Sequence, residues 1–231
     1  MSLLDAIIDT GTPPPEGAPQ SEKKRYSEIL SRNLAIGCAD CLRRIGFPNV
    51  KPLRDGPGEI KFQGGVQPKK VDVSFSDERH GLMLAVSIKS ITAPPFGKNL
   101  KNRFGDLFSE CVNLHMRFPY SVICSIFAFP RAADEDVTKV RTVSTFRRAV
   151  KLLGSISGRE EYTGPMEKFE NVTLMLFQPP DAEGNNAWIR LYDADTEREM
   201  TEEEYFRMLL DIYNDRNPNS PIGMGADLNG E

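Results

Sequence analysis

Ten consecutive residues, Tyr120 to Phe129 (YSVICSIFAF), are apolar almost throughout and stand between Pro119 and Pro130. The run is far too short to cross a membrane, and a strand with no polar face needs cover on both sides. It reads as the buried central strand of a sheet, parallel to an earlier strand and flanked by helices, which makes the fold class α/β (α+β).

The segments around it supply the partners. In Lys69 to Lys89 (KKVDVSFSDERHGLMLAVSIK), Val71, Val73 and Phe75 alternate with Asp72, Ser74 and Ser76, and Leu82, Leu84, Val86 and Ile88 alternate with Met83, Ala85, Ser87 and Lys89. This period of two predicts two neighbouring strands joined by a polar turn. Side chains alternate between faces, so Ser87 and Lys89 share the less aliphatic face, and a hairpin register brings Asp72 onto it. Glu59 to Phe62 reads as a short strand before Gly64-Gly65. Apolar residues every three or four positions predict a long helix from Ser21 to Gly46 and a second from about Lys98 to Arg117. Beyond Phe129 the pattern predicts a helix over 143–153, strands over 172–177 and 187–192, and a helix over 202–213, with Thr201 and Glu204 spaced as a capping box.

A single domain over residues 21–214, with its core in 21–130, suits a chain of 231 residues with 39% hydrophobic and 27% charged content. Residues 1–20, rich in proline and glycine and carrying Asp5 and Asp9 in their one apolar segment, are expected as a flexible arm, and 215–231 as a disordered tail. No apolar run approaches 18 residues, so no membrane association is expected, and a cytoplasmic location follows from the lack of a basic, apolar leader. Four scattered cysteines, with no second CxxC beside Cys38 and Cys41, point to free thiols packed in the interior. His115 reads as structural. The net charge of -4 is unevenly spread: residues 21–120 hold 17 Lys and Arg against 10 Asp and Glu. Such a surplus suits a surface that faces phosphate.

From Ser21 to Phe129 the element order is helix, three strands, helix, strand, and the second and third strands carry Asp72 and, fifteen and seventeen residues on, Ser87 and Lys89. This arrangement resembles the PD-(D/E)XK nuclease superfamily, and within it type II restriction endonucleases, with an α-β-β-β-α-β core and a mixed central sheet. The resemblance covers roughly 110 of 231 residues. It implies an Mg2+-dependent (or Mn2+-dependent) endonuclease acting on double-stranded DNA, with Asp72, Ser87 and Lys89 at the catalytic positions, in a restriction or antiviral defence role. A homodimer is implied because two strands must be cut. The other reading is an inactive member of the same fold that serves as a DNA-binding or interaction subunit.

Where that family carries Asp or Glu, this chain has Ser87, which cannot replace a carboxylate electrostatically. Magnesium prefers oxygen ligands and keeps several waters, so one or two carboxylates and a backbone carbonyl suffice. The resemblance assigns Asp72 and the carbonyl of Ile88 to the metal. Taking about 100° per residue, Asn99, Arg103, Asp106 and Glu110 form one polar line on the second helix. The missing acid is therefore expected from Glu110 or, one turn earlier, Asp106. Lys98, Lys101 and Arg103, near the start of the same helix, are the residues expected to contact DNA phosphate.

Overall fold

The computed structural model describes residues 1–223 of the chain. The apolar run becomes β5 (Val122–Pro130), buried from Val122 to Phe129. It lies parallel to β4 (Gly81–Ser90) in the register Leu84↔Val122 to Ser90↔Ala128, and parallel to β6 (Asn171–Gln178) on its other side. Two parallel neighbours leave β5 no edge and no solvent face, which is why it tolerates no polar alternation. Antiparallel strands complete the sheet: β3 (Val73–Asp77) against β4, and β7 (Trp188–Asp193) and β8 (Glu199–Met200) beyond β6. The six strands form a mixed sheet in the order β3-β4-β5-β6-β7-β8.

Each face of the sheet carries its own core. Val122, Cys124, Ile126 and Ala128 pack with α1 (Leu3–Thr10), α2 (Gln20–Arg44) and α5 (Glu202–Arg216). Ile123, Phe127 and Phe129 pack with α3 (Phe96–His115) and α4 (Thr145–Gly154). Each such fully buried Val, Ile or Phe contributes about 1.5–3 kcal/mol. All four cysteines are buried and free. No helix among the described residues is long and apolar enough to cross a membrane.

Three segments depart from the sequence reading. Residues 3–10 are no flexible arm: Ser2 and Asp5 form a capping box, and Leu3, Ala6 and Ile7 are fully buried. The helix fits against α2 only because residue 37 is glycine; a Cβ there would come 2.7 Å from the Ser2 carbonyl oxygen. The acids that suggested solvation instead start the helix and occupy its outer side. After Arg216 the chain folds back, with the side chain of Asn214 holding both the N–H and the carbonyl of Ile222 (2.8 and 3.0 Å), so the expected tail begins as a packed segment. The remainder of that tail, from 224 on, lies outside the described residues.

The third departure bears on function. The strand expected over 71–75 is split at Asp72: β2 (Pro68–Val71) turns away to pair with β1 (Ile60–Gln63) in a separate two-stranded ribbon, while β3 stays on β4. Asn113 of α3 ties the ribbon down, accepting from Val66 and Gln67 N–H at 2.8 and 3.1 Å and donating to the Gln67 carbonyl. Gly64 is required for this contact, since a Cβ would stand 2.3 Å from the Asn113 amide.

Candidate functional site

Because β2 leaves the sheet at Asp72, the edge of β4 beyond Val86 has no strand beside it, and the Asp72 side chain takes that place. Its Oδ2 accepts the Ile88 N–H at 2.7 Å. A strand residue's N–H and C=O point to the same edge, so the Ile88 carbonyl faces the side on which Asp72 stands. Next along β4 lies Lys89, whose Nζ is 3.6 Å from Asp72 Oδ2 and donates to Ser87 Oγ at 2.7 Å. From α3, Glu110 reaches the same ammonium, Oε2 to Nζ 3.1 Å. Asp72, Ser87, Lys89 and Glu110 therefore meet, as the sequence reading expected.

Of the two acids proposed for the position vacated at Ser87, Glu110 contacts Lys89 from a buried position, whereas Asp106 lines the cleft and pairs with Arg103. The Glu110 side chain is 1% exposed, whereas that of Asp106 is 55% exposed and pairs with Arg103 at 3.3 Å. One turn of helix separates them, and only the later residue lies over the sheet. Ser87, expected among the catalytic residues, is buried beneath Lys89, so its hydroxyl orients the ammonium and has no access to substrate.

The neighbouring acids favour the charged form of the lysine. Burial works against the Lys89 ammonium, but Glu110 and Asp72 outweigh it and hold its pKa above the usual lysine value. With both acids beside it, Lys89 is favoured in its ammonium form. Burial pushes the Asp72 carboxyl up, with Lys89 and the Ile88 N–H pulling the other way.

The group opens into a cleft of about 690 Å³ between α2, β2, β4 and α3, lined by Asp72, Ile88, Lys89, Glu59, Lys69 and, from α2, Lys24, Ser27, Glu28, Ser31 and Arg32. Arg103 and Asp106 stand on its α3 wall. Lys98 and Lys101 do not: they line an adjacent recess with Arg141 and Arg148. Helical geometry explains the division, because Lys98 and Lys101 lie well over 100° around the helix from the line that carries Arg103 and Glu110.

Sequence reasoning missed Lys69, whose Nζ is 3.1 Å from Glu110 Oε2, and the α2 wall. Both had a signal. Lys69 and Val71 share a face of one strand, and Lys24, Ser27 and Ser31 recur at helical spacing along one border of the apolar stripe of α2.

Among the described residues no group of three or more His, Cys, Asp or Glu side chains is placed to hold a metal ion. The donor set present is two carboxylates and the Ile88 carbonyl. This fits Mg2+ or Mn2+, which complete their shells with water, and not a closed zinc site. Glu110 Oε1 supports the fit, being buried without a hydrogen-bond partner; a carboxylate oxygen left so is costly unless something binds it. Comparison with protein-family models, curated proteins and solved structures gives no match.

Proposed function

We propose that this chain is an Mg2+-dependent (or Mn2+-dependent) endonuclease that hydrolyses phosphodiester bonds of double-stranded DNA. The observation that carries the reading is the meeting of Asp72, Lys89 and Glu110: Asp72 and Lys89, from the sheet edge, line an open cleft, and Glu110, from α3, is buried behind Lys89. In this reading Asp72, Glu110 and the Ile88 carbonyl hold the cation. A bound divalent cation supplies an activated water and offsets charge on the phosphate. Lys89, fixed by Ser87 and kept charged, stabilises the negative charge that develops on the phosphate oxygens. Arg103, Lys24 and Arg32 on the cleft walls hold the flanking phosphates. A homodimer places two such sites on the two strands. The restriction or antiviral defence role and the cytoplasmic setting belong to this reading and rest on the resemblance to restriction endonucleases.

One observation favours the second reading, an inactive DNA-binding subunit: both lysines of the site lie 3.1 Å from Glu110 Oε2 and neutralise it. Incubation of the purified protein with supercoiled plasmid separates the two. The endonuclease reading expects nicking or linearisation with Mg2+, none with EDTA, and none by Asp72→Asn. DNA binding without cleavage under either metal would establish the inactive subunit.

A further inference from the structure

Lys69 and Lys89 lie at equal distances from one carboxylate oxygen, but they are held very differently. Lys89 is 14% exposed, and Ser87 and Asp72 anchor it independently of Glu110. Lys69 is 32% exposed and comes from the ribbon outside the sheet, and Glu110 is its salt-bridge partner. Its end can swing into the cleft by rotation of exposed side-chain bonds, whereas Lys89 has no such freedom. Glu110 meanwhile receives both ammonium groups on Oε2, and its buried Oε1 has no partner. The carboxylate is thus balanced in charge and incomplete in coordination.

We infer that Lys69 is a displaceable counter-ion: it occupies on Glu110 the place that a divalent cation takes, and so sets the cation affinity of the site. This rests on the reading of Asp72 and Glu110 as metal ligands. Two carboxylates facing each other across one lysine would repel strongly without a second positive charge, and Lys69 supplies that charge until the cation arrives. Entry of the cation frees the Lys69 ammonium, which is then placed on the cleft wall where a DNA phosphate would lie. The exchange breaks no covalent bond.

Binding of Mn2+ to the full chain, followed by the decrease of the free-ion EPR signal without DNA, tests this on wild type, Lys69→Met, Lys69→Arg and Asp72→Asn. A unit charge about 4 Å from a divalent ion is worth roughly thirty-fold in affinity at the dielectric constant of water, less when screened by salt. Lys69→Met should therefore bind Mn2+ about ten-fold or more tightly than wild type, and Lys69→Arg should stay near wild type. Detectable binding by Lys69→Met alone would support the inference more strongly still. Equal or weaker binding by Lys69→Met, with wild type binding and Asp72→Asn not, would overturn the counter-ion role and leave the metal site standing. No binding by any variant, or binding unchanged in Asp72→Asn, would overturn both.

Discussion

The ion pairs on Glu110 give a stability prediction that needs no assumption about substrate. At 3.1 Å and an effective dielectric constant near 20, two unit charges attract by about 5 kcal/mol before desolvation is subtracted. Distance alone would make the Lys69 and Lys89 pairs equal. Burial separates them: the Lys89 side chain is 14% exposed and Lys69 is 32% exposed, against 1% for Glu110. Water screens the more exposed pair and its longer free stem costs more entropy to hold, so exposed pairs fall to about 0.2–1 kcal/mol, while contacting buried groups couple by about 0.5–3 kcal/mol. Two double-mutant cycles by urea unfolding at pH 7, Lys89→Met with Glu110→Gln and Lys69→Met with Glu110→Gln, should give coupling of about 2 kcal/mol for the first and below about 1 kcal/mol for the second. A coupling for Lys69 as large as that for Lys89 would refute the argument from burial, and with it the contrast between an anchored and a displaceable lysine.

Glu170 makes a second buried network, accepting from Arg159 at 2.7 Å, Arg216 at 3.0 Å and the Ile123 N–H at 2.8 Å, with His115 Nε2 3.3 Å away. Glu170→Gln removes the carboxylate paired with the fully buried Arg159 guanidinium and leaves it only backbone carbonyls, which should cost about 3–5 kcal/mol in urea unfolding. Burial would raise the Glu170 carboxyl, but His115, the Ile123 N–H and Arg216 reverse this and hold it below the usual 4.5. Its folded value being the lower, its contribution is complete above pH 4.5 and disappears as the pH falls through the folded value. Wild type should therefore lose stability more steeply than Glu170→Gln on acidification below pH 4.5, and parallel curves would contradict the assignment. DNA affinity should fall steeply with salt, and Lys24→Ala with Arg103→Ala should flatten the log–log slope by about 0.9 for each phosphate no longer neutralised; an unchanged slope would place the DNA outside the cleft.

The parts legible in the sequence were those fixed by local pattern. Apolar continuity identified β5, alternation identified β4, and helical spacing on α3 put Glu110 on the line that reaches Lys89. The capping box at Thr201 and Glu204 forms as its spacing suggested. The illegible parts depend on interactions between residues distant in sequence. Nothing local to Asp72 shows that β2 must leave the sheet; that follows from Asn113, over forty residues later, holding the Gly64 turn. The packing of Leu3, Ala6 and Ile7 depends on the small residue at 37, which a reading of the first twenty residues cannot see. The strand face of Lys69 is legible from its spacing to Val71, but its partner Glu110 is not, because the two meet only when the ribbon folds toward α3.

Whether Glu110 supplies the acid absent at Ser87 is measured by cleavage of supercoiled plasmid in Mg2+ by Glu110→Gln and by Asp106→Asn, each shown to bind DNA as wild type does. Cleavage abolished in Glu110→Gln and retained in Asp106→Asn is the expected result; full cleavage by Glu110→Gln would contradict the assignment.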